Sequence, residues 1–184
     1  VDGDYTFAIE YTDLAGNKCT SINYASGTVA GTSFTIDKTI PTISVSYNNN
    51  SALNTNYYKD PRTVTITINE HNFSTDRINV TMTATNDGAA ASIPSVNGWS
   101  NNGNTHTATI SFASDALYTF DIAYTDLAGN AAADYTQDTF YIDNTDPVLE
   151  ITPEALNNSA NNGEVKPIIT SSDTNFEQVN IKLV

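Results

Sequence analysis

An all-β chain of antiparallel sheets packed in two layers is the fold class this sequence predicts, and three observations predict it. Apolar residues recur at every second position, as in Val64, Ile66 and Ile68, then Ile78, Val80 and Met82, then Tyr118, Phe120, Ile122 and Tyr124. The composition favours strands and turns: 27 Thr and 23 Asn, with ten Tyr and seven Phe supplying core bulk. Helical periodicity is absent, because Gly, Pro or Asn interrupts nearly every run.

The chain also repeats itself. Residues 5–17 read YTFAIEYTDLAGN and residues 118–130 read YTFDIAYTDLAGN. Phe34-Thr-Ile-Asp-Lys-Thr-Ile-Pro41 matches Phe140-Tyr-Ile-Asp-Asn-Thr-Asp-Pro147, and Glu70-His-Asn-Phe73 matches Asp173-Thr-Asn-Phe176. A unit of about 100–110 residues is far longer than a solenoid repeat and is the size of an independent domain. The phase predicts the C-terminal part of one repeat at 1–40, a complete repeat at 41–146 and the N-terminal part of a third at 147–184. The chain is expected to be a window on a longer array, with two incomplete ends open to strand exchange.

Within the complete repeat, seven strands are expected, in order near 42–47, 63–69, 77–85, 95–99, 105–112, 117–125 and 135–142. The first follows Pro41, the second follows Pro61, and the third ends at Asn86-Asp-Gly88. Gly103 lies between the fourth and the fifth. The sixth carries the aromatic stripe, with Thr119, Asp121 and Ala123 facing the other way. The seventh leads into the next proline joint at Pro147. Stripes with one polar face suit two antiparallel sheets in a sandwich.

Three residue sets carry a resemblance to a bacterial immunoglobulin-like domain of the kind strung in tandem on surface proteins. Asp115-Ala-Leu-Tyr118 and Asp2-Gly-Asp-Tyr5 resemble its tyrosine corner. Asp126-Leu-Ala-Gly-Asn130 and Asp13-Leu-Ala-Gly-Asn17 resemble its Asp-x-Ala-Gly-Asn turn, and Asp37-Lys-Thr-Ile-Pro41 and Asp143-Asn-Thr-Asp-Pro147 its interdomain joint. Where antibody domains place their second cysteine, this chain has Phe7 and Phe120, so the resemblance implies aromatic packing in place of a disulfide.

Charge narrows the partners. Twenty-one acidic and seven basic residues make a net charge of −14, and seven scattered cations make no nucleic-acid patch. The acidity belongs to the repeating unit, since the complete repeat holds Lys59, Arg62 and Arg77 as its only Lys or Arg. Nothing has the length of a membrane-spanning apolar run, which takes about 18 residues or more. The one cysteine, Cys19, excludes an internal disulfide framework.

Candidate chemistry is sparse. Asp37, Asp143 and Asp146 gather at the proline joints and are candidate calcium ligands, because calcium takes six to eight oxygens. Asp146 has Ile40 as its counterpart, so that ligand set is not repeated. The Asp13–Asn17 and Asp126–Asn130 segments read as turns in which the Asp accepts backbone N–H bonds, with calcium held by the Asp and Asn oxygens as the alternative. Trp99, Tyr57 and Tyr58 are the candidate ligand-binding aromatics, with inward packing of Trp99 as the plainer alternative. His71 and His106 lack partners at metal-binding spacing and are expected on surface strands or loops. Lys59 reads as a solvated lysine, and no nucleophile elbow or other catalytic motif marks an enzyme. Phe73 and Phe176 are expected to pack under the sandwich end, and the long hairpin after Asn17, carrying Cys19 and Tyr24, is a place for a loop-borne role.

The resemblance implies an extracellular or cell-surface spacer that projects a distal adhesive or catalytic module, with neighbouring immunoglobulin-like domains as its partners. The alternatives are an adhesion module binding host protein or glycan, and an accessory module of a large secreted glycosidase.

Overall fold

The computed structural model of the chain describes residues 1–6, 9–19, 33–152 and 159–182. Phe7 and Tyr24 lie outside the described residues. Thirteen strands are described: β1 (Gly3–Thr6), β2 (Ser33–Ile36), β3 (Thr42–Tyr47), β4 (Tyr57–Tyr58), β5 (Arg62–Asn69), β6 (Ile78–Asn86), β7 (Ala89–Ala90), β8 (Ser100–Asn102), β9 (Thr105–Phe112), β10 (Ala116–Tyr124), β11 (Asp138–Ile142), β12 (Val148–Thr152) and β13 (Ile168–Ser172).

Strands β3 to β11 build a sandwich. One sheet has the order β3-β5-β9-β8 and is antiparallel throughout. The other has the order β4-β11-β10-β6-β7, antiparallel except where β4 runs parallel to β11. Register sorts the side chains. Val64 lies opposite Ile110 and Ile66 opposite Ala108 on the inner face, while Thr65 opposes Thr109 and Thr67 opposes Thr107 outside. A one-residue slip would exchange the two sets, so burial locks the pairing.

The core lies between the sheets. Val64, Ile66, Ile68, Ile110 and Phe112 from one sheet meet Tyr118, Phe120, Ile122, Tyr124, Phe140 and Ile142 from the other. Burial of each large side chain contributes about 1.5–3 kcal/mol. Phe112 packs edge-on to Tyr118 and Phe140, with centroids 5.0 and 5.1 Å apart. Phe120 is fully buried against Tyr135 and Phe112. Tyr118 Oη donates to the Ser114 carbonyl at 3.0 Å, and Tyr5 Oη to the Val1 carbonyl at 2.7 Å.

Three strand expectations need correction. Residues 95–99 are not a strand. Asn97 N–H still donates to the Thr109 carbonyl at 2.9 Å, but the ladder breaks at Gly98 and resumes as β8. The seventh strand starts at Asp138, because Tyr135 turns inward against the core. The two-residue strands β4 and β7 were not anticipated; β7 follows a turn with Asp87 at φ 48° and Gly88 at φ 75°, the pattern of a type I′ hairpin.

The flanking segments are simpler. β1 pairs with β2, and β12 with β13, each as a two-stranded antiparallel ladder. Their apolar side chains, among them Phe34, Leu149 and Ile151, are exposed. Residues 173–182 carry no ladder. Among the described residues, no helix is long and apolar enough to cross a membrane.

Candidate functional site

Among the described residues, the joints hold two matching sets of polar contacts. Asp37, just after β2, accepts from Thr39 N–H through Oδ1 at 3.0 Å and from Asn72 Nδ2 through Oδ2 at 3.4 Å. Asn72 N–H donates to Glu70 Oε1 at 2.8 Å, and Thr39 Oγ1 donates to Asp2 Oδ2 at 2.6 Å. All four bonds recur at the second joint. Asp143 accepts from Thr145 N–H at 3.3 Å and Asn175 Nδ2 at 2.9 Å, Asn175 N–H donates to Asp173 at 2.7 Å, and Thr145 Oγ1 donates to Asp115. In each case an aspartate after the last strand is held by an asparagine from the loop after the next segment's second strand.

The Asp-x-Ala-Gly-Asn turns fold alike in both copies. Asp126 Oδ1 accepts Asn130 N–H, and its Oδ2 accepts Asn130 Nδ2, both at 2.8 Å. Asp13 makes the same pair of bonds to Asn17 at 2.8 Å. Gly129 at φ 95° and Gly16 at φ 85° occupy the left-handed region that glycine permits. In the second copy the turn also reaches the joint: Asn130 Nδ2 lies 3.3 Å from the Asp37 carbonyl.

Three carboxylates therefore converge. Asp37, Glu70 and Asp126 place oxygen atoms within 4.8 Å of one another, with Glu70 and Asp126 buried. The ion pairs among the described residues, His71–Asp4 and Lys166–Glu164, include none of the three. Burial, reinforced by the charges of Asp37 and Asp126, pushes the Glu70 carboxyl above its ordinary range. Hard oxygen donors in this arrangement could hold a calcium-like ion, which would relieve that repulsion. Of the sequence-predicted metal set, Asp37 belongs to this triad and Asp143 to the matching place at the second joint. Asp146 is exposed and lies outside both hydrogen-bonded sets.

The sequence reading missed Glu70, Asn72 and Asn130 as joint residues. The signal lies in the match between Glu70-His-Asn-Phe73 and Asp173-Thr-Asn-Phe176, whose acid and asparagine recur along with the phenylalanine. Phe73 does pack, stacking on His106 at 3.9 Å and leaning on Trp99 at 5.1 Å, whereas Phe176 is exposed. His106 corrects another expectation, since it is buried with Nε2 at 2.8 Å from the Glu70 carbonyl. Its register opposite Ile68 turns it inward at the sheet end. His71 is exposed and reaches across the joint, with Nε2 3.3 Å from Asp4 Oδ2.

The candidate aromatics do not converge. Trp99 is half-buried against the core beside Phe73, Tyr58 is buried edge-on to Phe140, and Tyr57 stacks on Tyr141 near the second joint. Lys59 is exposed, and so is Cys19. No family model matches this chain, and no curated protein or solved structure matches it.

Proposed function

We propose that the chain is a spacer: a run of immunoglobulin-like sandwich repeats in a secreted or cell-surface bacterial protein, set end to end to hold a distal adhesive or catalytic module away from its anchor. The observation that carries this reading is the joint, where four hydrogen bonds at Asp37 recur at Asp143. A flexible linker needs no such contacts; a joint that sets the angle between consecutive units does. The sandwich supports the immunoglobulin-like part of the reading. Two facing sheets of mostly antiparallel strands suit that fold, and Tyr118 near the start of β10 donates back to the Ser114 carbonyl as a tyrosine corner would. Net charge of −14 favours solubility and discourages self-association of a long array.

The test is a distance distribution between spin labels at Lys18 and Lys59, each replaced by cysteine in a Cys19→Ser background. A spacer gives one narrow distribution, and Asn72→Ala combined with Asp37→Ala broadens it. A broad distribution in the parent chain would overturn the reading.

A further inference from the structure

On the outer face of the five-stranded sheet, neighbouring strands place Tyr57 beside Tyr141, and Tyr141 beside Leu117. The tyrosine rings stack with centroids 4.2 Å apart and planes 2° from parallel. One face of Tyr141 is thus covered by Tyr57, while Tyr141 and its other cross-strand neighbour, Leu117, both line an open space. A cavity of about 300 Å³ opens there, lined by these three side chains with Asp87, Asp115 and Asn175. An adjoining cavity of about 510 Å³ shares the three polar residues and adds three further aspartates. Among the described residues, no Lys, Arg or His lines either space.

The aromatic wall is not a requirement of the repeat. In the first repeat the place of Tyr141 is taken by Thr35 and that of Leu117 by Asp4, in the same ladder register. There Thr35 Oγ1 simply donates to Asp4 Oδ1 at 2.7 Å. The β1–β2 ladder thus pairs without an aromatic at the place of Tyr141. Asp87 stands exposed at the tip of the β6–β7 turn, at the mouth of both cavities.

We infer that this cavity binds an organic cation, an ammonium or guanidinium group on a flexible chain, with its charge against the free face of Tyr141 and its N–H groups toward Asp87. The negative face of an aromatic ring attracts such a cation, and a carboxylate supplies a charge-assisted hydrogen bond. Low-dielectric walls lined by one sign of charge concentrate the opposite sign. The same charges repel phosphates and acidic sugars. A bare metal ion would make no use of the ring pair, and a neutral sugar none of the carboxylates. The inference does not depend on the spacer reading.

Calorimetric titration of the full chain in 0.15 M NaCl tests it, using spermine and tetra-arginine as probes, with calcium chloride and cellotriose as controls. Binding of either cation with a Kd below about 1 mM is expected. Tyr141→Thr, which installs the first repeat's residue, should weaken it about 3- to 30-fold with the melting temperature nearly unchanged. Asp87→Asn should also weaken it, and Asn suits the positive φ of that turn. Spermine binding alone would identify a polyamine, and tetra-arginine alone a basic peptide. Equal affinity in Tyr141→Thr, or a response confined to calcium or cellotriose, would overturn the inference.

Discussion

The guanidinium carbon of Arg62 lies 3.8 Å from the centroid of the Tyr47 ring, inside the sandwich. Tyr58 and Phe140 close around it at 4.0 and 4.6 Å, while Nε donates to the Asn49 carbonyl at 2.9 Å and Nη2 to Asn50 Oδ1 at 3.3 Å. A planar guanidinium can stack and donate in its own plane together, which an ammonium cannot. Arg62→Lys is therefore expected to destabilise the sandwich by about 2–3 kcal/mol. That corresponds to a fall of roughly 5–10 °C in a thermal melt followed by circular dichroism.

The corner at Tyr118 makes a second prediction. Its hydroxyl holds the Ser114 carbonyl just before β10 begins, and its ring sits in the core at 1% exposure. Tyr118→Phe keeps the ring and removes only the donor, leaving a carbonyl short of one partner. The expected cost is about 1–2 kcal/mol in urea unfolding at an unchanged m value. The equivalent Tyr5→Phe should cost less, because Tyr5 is exposed and its acceptor can turn to water.

These two residues also show what was legible. Tyr118 was readable because a buried strand alternates strictly, and Tyr118, Phe120, Ile122 and Tyr124 all reach 2% exposure or less. The site of Arg62 was not legible, because only the long-range approach of Phe140 and Tyr58 makes it. The joint was half legible. Asp37 and Asp143 stood out beside their prolines, but Glu70 and Asp126 lie far apart in the chain and meet Asp37 only in the folded structure. β4 escaped notice because two residues carry no periodicity and their partner, β11, lies far along the chain.

The triad predicts opposite effects with and without a cation. Glu70 has its carboxyl pKa raised by burial and by two like charges, so its ionised form destabilises the fold as pH rises above the ordinary glutamate value of 4.5. Glu70→Gln removes that repulsion, keeps an oxygen for Asn72 N–H, and should raise the melting temperature at pH 7 in chelator. Millimolar calcium should stabilise the parent chain by the mass action of ligand binding and leave Glu70→Gln much less affected. An identical calcium response in both proteins would remove the triad as a cation site.

Acidification should tighten the first joint before it loosens it. His71 faces Asp4 Oδ2 through Nε2 and Asn104 Oδ1 through Nδ1, both at 3.3 Å, with the Glu70 carboxyl among the charges acting on it. Two oxygen partners require two N–H donors, so only the imidazolium satisfies both. These contacts, first the Asn104 bond and then Asp4, raise the His71 pKa above its ordinary 6.5. The Thr35 and His71 bonds lower that of Asp4 below its ordinary 3.8. For the histidine the sign is gain on protonation: its contribution is complete below about pH 6.5 and disappears as pH rises through the elevated value. For the aspartate the contribution is present above about pH 3.8 and disappears as pH falls through the depressed value. The joint contact is thus strongest between roughly pH 4 and 6.5. Both side chains are exposed, so the effect belongs to the joint angle and its spread, and global stability should hardly register it. Proton NMR should give a His71 titration midpoint above 6.5 that falls on Asp4→Asn, and spin-label distances across the joint should narrow at pH 5.5 relative to pH 8. A His71 midpoint untouched by Asp4→Asn would show that the two groups do not meet in solution.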